Sequence, residues 1–248
     1  MVRRQIGMAV AAMAAAGMLY LLTLLPHEAS APAVAVEQVT CPVVMEAMQR
    51  VMIQLAACDT EADARISAAR TVRRGSAGYI HRDGQYRVLG AMAQTREEAE
   101  HICERLRQAG VQADCYPVEA KALTMKVTAG RAQIAALTAA LHAMDMASTQ
   151  PEAIARQLDA GEIDADRARG LVAMLVSDME AAQADFADAG AQGLLSERLD
   201  AALTEAIAAL EPMTRDDGQT TDLVLSGRIR CAGMKIWFSR AEVAGISV

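Results

Sequence analysis

Aromatic side chains are scarce in this chain, with one Trp, two Phe and four Tyr among 248 residues. Any core must therefore be filled by Leu, Ile, Val, Met and the many alanines, and the fifteen methionines serve as adaptable filler. Basic charge is also short. A formal net charge of −7 excludes a broad electrostatic attraction for nucleic acid or anionic lipid. The five cysteines (Cys41, Cys58, Cys103, Cys115, Cys231) form no C-x-x-C pair and have no histidine at ligand spacing. That pattern argues against a zinc site, and an odd count excludes complete internal pairing.

Catalytic signatures are missing as well. There is no H-E-x-x-H, G-x-S-x-G, P-loop, S-x-x-K or dinucleotide fingerprint. The four histidines, His27, His81, His101 and His142, are scattered along the chain. His101 cannot activate Cys103, because positions i and i+2 point apart on a helix. The carboxylate pairs Glu97/Glu98 and Asp216/Asp217 sit at a helix start and in a turn, where such residues have structural roles. The reading is a protein that is not an enzyme, with no catalytic residue, cofactor or metal.

What is present begins with an uncharged apolar run from Ile6 to Leu25, preceded by Arg3 and Arg4. As a helix it would span about 30 Å, the thickness of a hydrocarbon core. The positive-inside rule leaves its N-terminus in the cytoplasm and sends the remainder across the cell membrane as a single-pass protein with an extracytoplasmic C-terminal domain. A cleaved signal peptide is the competing reading, with Ala29-Ser30-Ala31 as its cleavage site. The length of the apolar run and Pro32 favour the uncleaved anchor.

Beyond a short linker, Val44, Met48, Val51, Leu55 and Cys58 recur at helical spacing and predict a helix over Pro42–Cys58. Arg65 to Ser76 reads as a basic connection. Ala77–His81 and Gln85–Met92 flank Asp83-Gly84, a hairpin signal. Thr95-Arg96-Glu97-Glu98 is a capping box opening a helix with Ala99, Ile102, Cys103 and Leu106 on one face and Gly110 beyond its end. Val111–Val118 and the run through Leu123, Met125 and Val127 alternate as strands, and a helix follows to about Met146. Cys103 and Cys115 fall on inward faces, close enough to pair or to remain buried thiols.

Thr149-Gln150-Pro151-Glu152 reads as a second capping box, Gly161 as a helix stop and Asp164 as the next cap. Leu171, Met174, Leu175 and Met179 mark one buried stripe, and Leu199, Leu203, Ile207 and Leu210 another. The tail, Asp222–Arg230 and Met234–Phe238 around Cys231-Ala232-Gly233, reads as a β-hairpin.

Tyr86-Arg87-Val88, then Thr95-Arg96-Glu97-Glu98-Ala99-Glu100, Leu106 and Gly110, resemble the SPOR (sporulation-related repeat) family over roughly residues 72 to 142. The family's turn glycine and aromatic fall on Ala91 and Ala93, with Gly90 one position early. The resemblance implies a small sheet backed by two helices, binding peptidoglycan glycan strands behind an N-terminal anchor. By alternation Tyr79 and His81 share one strand face, and Gln85 and Arg87 one face of the partner. These four are the candidate ligand-binding residues, because they combine stacking surface with hydrogen-bonding heads.

The expected architecture is α+β: an N-terminal transmembrane helix, a small mixed or antiparallel SPOR-like sheet packed on helices, a helical hairpin or bundle, and a C-terminal β-hairpin. The divisions are 1–31 (cytoplasmic tip and anchor), 32–71 (linker and helix), 72–148 (SPOR-like module), 149–211 (helical region) and 212–248 (hairpin). The expected role is a cell-envelope protein binding peptidoglycan in division or sporulation. Its partners would be glycan strands, the membrane through residues 6–25, and a protein or second copy through 149–211, with no nucleic acid. The alternative is a non-catalytic interaction scaffold using the helical region.

Overall fold

A computed structural model describes residues 37–216 and 218–245, and Gln38 onward belongs to one compact unit. The expected anchor at residues 6–25 lies outside the described residues. Among the described residues, no helix is long and apolar enough to cross a membrane.

Among the described residues, six strands and six α-helices follow in the order β1 (Gln38–Met45), β2 (Met48–Cys58), α1 (Glu61–Val72), β3 (Tyr79–Asp83), β4 (Gln85–Ala93), α2 (Arg96–Gln108), β5 (Asp114–Ala120), β6 (Leu123–Gly130), α3 (Arg131–Asp159), α4 (Ala165–Asp188), α5 (Leu194–Leu210) and α6 (Asp222–Ala244). The class is α+β, with two separate antiparallel sheets. One pairs β1 with β6, and the other has the order β3-β4-β2-β5.

Where local signals are strong, the expected elements form. Gly84 takes φ +67° and closes the β3–β4 hairpin after Asp83. Thr95 Oγ1 accepts from Glu98 N at 3.1 Å, while the Glu98 carboxylate reaches back to Gln94 N at 2.9 Å. Gly110 at φ +76° ends α2, with Val111 N donating to Leu106 O. Asp164 accepts from Arg167 N at 2.8 Å and caps α4.

Elsewhere tertiary packing overrides the local pattern. The helix expected over Pro42–Cys58 is two strands, β1 and β2. β2 is one of the two inner strands of its sheet, so Val51, Met52 and Ile53 are buried in succession on both faces, and no period of two survives in the sequence. The basic connection at Arg65–Ser76 is mostly α1, capped by Thr60 Oγ1 accepting from Asp63 N. The second capping box does not form. α3 runs unbroken through Pro151, and Thr149 Oγ1 donates to Asp145 O instead of capping. Met174 leaves the expected stripe and is 60% exposed, the buried positions beside it being Val172, Leu175 and Val176.

The largest correction concerns the tail. The expected C-terminal β-hairpin is a single helix, α6. Its glycines are contact points rather than turns. A Cβ on Gly227 would lie 2.8 Å from Ser76 O, and one on Gly233 would lie 2.9 Å from Pro151 Cβ. Close approach of neighbouring elements therefore fixes both residues, and the same Pro151–Gly233 contact supports the proline inside α3.

α6 is the element shared by the two halves of the unit. Leu225, Ile229, Ile236 and Val243 join the core of α3, α4, α5 and β1. Met234 and Trp237 join Met52, Leu89, Met92 and Ala120 on the sheet. Burying each such side chain contributes about 1.5–3 kcal/mol. Arg240, fully buried, adds a polar tie: its Nε donates to Asp145 Oδ1 on α3 and its Nη2 to Glu46 O between β1 and β2.

Candidate functional site

The four-stranded sheet has helices on both faces. On one face α1 and α2 pack through Ala64, Ala68, Ala99 and Cys103. On the other lies α6, which covers the half of the face built from Met48, Met52, Leu89, Met92 and Ala120. The remaining half, toward the Gly84 turn, is polar and partly exposed.

The β3–β4 register, Tyr79↔Leu89, His81↔Arg87 and Asp83↔Gln85, puts all four candidate residues on this second face. Arg87 is the centre of the open half. Its Nη1 donates to Gln54 Oε1 at 2.6 Å, and its Nε lies 3.8 Å from Asp83 Oδ2. With the Gln85 amide turned so that its oxygen faces the guanidinium, that oxygen accepts from both terminal nitrogens at 3.2 and 3.1 Å. The guanidinium also sits 4.4 Å from the Tyr116 ring centroid, a cation–π contact. Tyr116 Oη in turn donates to Asp83 Oδ2 at 2.7 Å. Amides, carboxylate and ring together hold the Arg87 side chain in one place, with 18% of its surface exposed.

The aromatic side of the site comes from three elements. His81 on β3 stacks on Phe238 of α6, with centroids 4.2 Å apart and planes at 13°. Tyr116 on β5 lies 6.2 Å from His81. Tyr79 stacks on the same Phe238 at 5.4 Å and is half-buried. Burial pushes its phenol up to about 12. Burial also lowers the His81 imidazole below its ordinary value and, with the bond to Asp83, raises the Tyr116 phenol.

Tyr79, His81, Gln85 and Arg87 are thus neighbours on one face, all four half-buried. Four further residues complete the arrangement: Gln54, Asp83, Tyr116 and Phe238. Tyr116 was accessible to sequence reasoning, since alternation in β5 places it opposite Cys115. Gln54 and Phe238 were not, because their segments carry patterns that read as a different secondary structure.

The arrangement offers flat ring faces beside fixed amide and guanidinium heads. Such a surface can stack on the apolar face of a sugar ring while bonding its hydroxyl or acetamido groups. Among the described residues, no group of His, Cys, Asp and Glu could hold a metal ion.

Two clefts, of about 840 and 540 Å³, are lined by the other face of β2, the first through Val51 and the second through Ile53 and Leu55. The smaller contains Glu152, whose carboxyl burial pushes up and whose Oε1 accepts from Arg230 Nε at 3.1 Å. Arg230 also bridges Asp159 at 2.7 Å, so this cluster joins α3 to α6.

Residues 47–118 match the SPOR domain family model. The chain carries a SPOR domain. The matched span is the β2-α1-β3-β4-α2-β5 unit, which begins well before residue 72, where the sequence resemblance starts. SPOR is a binding-domain family, and its domains bind peptidoglycan. The match covers under a third of the chain, leaving β1, β6 and helices α3 to α6 outside it. No curated protein and no solved structure matches the chain.

Proposed function

We propose that this chain is a membrane-anchored, extracytoplasmic cell-envelope protein that binds peptidoglycan glycan strands through the open half of its SPOR sheet, in cell division. It acts without catalysis, as a binding module held near the wall. The observation that carries the reading is the Arg87 cluster, a pre-positioned guanidinium with Gln54 and Gln85 beside the Tyr116 and His81 rings, within a SPOR domain. Anchoring rests on the Ile6–Leu25 run and on the Arg3-Arg4 pair before it.

The test is co-sedimentation of the purified full-length chain with peptidoglycan sacculi, intact and stripped of stem peptides. Retention that falls at least fivefold with Arg87→Ala and with Tyr116→Ala, at unchanged melting temperature, is the expected result. A folded chain that stays in the supernatant with both sacculi would end this reading.

A second reading, an interaction scaffold, draws on the outer faces of α4 and α5, where Met174 is 60% and Leu194 54% exposed. Loss of self-association or of a co-purifying protein with Met174→Glu, at full sacculus retention, would favour it.

A further inference from the structure

The C-terminal helix lies on the same sheet face as the Arg87 cluster and meets it at Phe238. We propose that α6 forms one wall of the saccharide site, so that glycan lies in a lane across the four strands with Phe238 as a fixed shelf, and the footprint is a short oligosaccharide. This rests on the glycan-binding reading and names both a new contributing residue and the length of ligand.

Three observations carry it. First, the covered and open halves of the face meet at Phe238, whose ring stacks on His81 and Tyr79 at once and stands edge-on to Trp237 at 5.2 Å. It is partly exposed, whereas Trp237 behind it is 1% exposed. Second, α6 is a wall and not a lid. Leu225, Ile229, Met234, Ile236, Trp237 and Arg240 are all buried, split between the sheet and the helical core. Lifting the helix would open both. Third, the polar strip left beside it runs across β3, β4, β2 and β5 through His81, Arg87, Gln54 and Tyr116. Four strands at about 4.8 Å spacing give a lane on the order of 15–20 Å long, the reach of about a tetrasaccharide.

Phe238 belongs to a segment more than a hundred residues beyond the family match, so the SPOR unit alone presents an incomplete platform. The helix side chain fixes the His81 ring plane from behind, and a sugar approaching His81 meets Phe238 as its lateral boundary.

The experiment is calorimetric titration of the full-length chain with peptide-free di-, tetra- and octasaccharides of the glycan strand, repeated with Phe238→Leu, which keeps apolar bulk. Ring signals of the two phenylalanines are followed by NMR, with Phe186, buried in the helical core, as internal reference. Affinity should rise from di- to tetrasaccharide and then gain less than about threefold at octasaccharide. Phe238 signals should move while Phe186 stays still, and Phe238→Leu should weaken tetrasaccharide binding roughly tenfold. An affinity still climbing more than tenfold at octasaccharide, or saturation with Phe238 unmoved, would overturn the lane while leaving glycan binding intact. No binding to any saccharide by the folded chain would remove the glycan reading itself, and the lane with it.

Discussion

The two faces of the four-stranded sheet are covered by different means. The first is covered by α1 and α2, which lie between the strands they pack on and meet them through small side chains such as Ala64, Ala68, Ala99 and Cys103. The second is covered by α6, which arrives from the far end of the chain and brings Trp237, Phe238 and Met234. Short connections let local caps and turns specify the first face. The second needs a surface matched to a distant helix, so large side chains and backbone contact carry it. The apolar core of one face therefore comes from the SPOR unit alone, and that of the other is a composite of the unit and the C-terminal helix.

That comparison breaks most directly at Trp237. Trp237→Ala should cost about 3–5 kcal/mol in denaturant unfolding, since it empties the centre of the α6 contact. The half-buried Ile102→Ala on the other face should cost clearly less. Equal losses would mean that α6 is no more essential to the sheet than α2.

On the α2 face, Cys103 and Cys115 have their sulfurs 3.4 Å apart as free thiols. Burial and the neighbouring Cys115 thiol push Cys103 up to about 12, so thiolate is scarce at neutral pH. Oxidation by a disulfide reagent should still link the two, closing a short loop and stabilising the fold by on the order of 2–3 kcal/mol. Mass spectrometry and a melting shift reversed by reductant would check it. A Cys103→Ser variant that gains as much on oxidation would refute the pairing.

Gly227→Ala sharpens the contrast further. The added methyl would meet the Ser76 carbonyl at 2.8 Å, which is backbone and cannot rotate away, so a loss of about 1–3 kcal/mol is expected. A Cβ at Gly84 meets nothing within 4 Å, and its cost comes only from the positive φ, about 1 kcal/mol. Chemical denaturation of the pair decides whether contact or conformation dominates.

The smallest effect belongs to His81. Burial first, then the Arg87 charge, lower its imidazole, while Asp83 and Glu242 pull the other way. The unfolded chain therefore takes up the proton more readily, and stability is full above the ordinary value of about 6.5 and declines as pH falls below it. The melting temperature of the wild-type chain should drop slightly more than that of His81→Gln between about pH 7.5 and pH 5.5. An equal drop in both would show that burial does not lower the His81 proton affinity in the folded chain.

Sequence by itself determined the elements whose cause is local. The Asp83–Gly84 hairpin, the Thr95 cap, the stripe of α2 and the Gly110 stop depend on sterics and hydrogen bonds within a few residues, and they stand as expected. It also put Tyr79 with His81 and Gln85 with Arg87, since alternation follows from strand geometry alone, and the hairpin register set both pairs on one face. Tertiary structure decided the rest. β2 is a strand because it pairs on both edges and is buried on both faces, which erases the period that would announce it. α3 continues through Pro151 and α6 through Gly227 and Gly233, since each of those residues fills a contact with a neighbouring element. Only that assembly, with α6 laid over half of the sheet, sets Gln54 and Phe238 around the Arg87 cluster. Their positions depend on packing between segments far apart in the chain, and no short stretch of sequence encodes it.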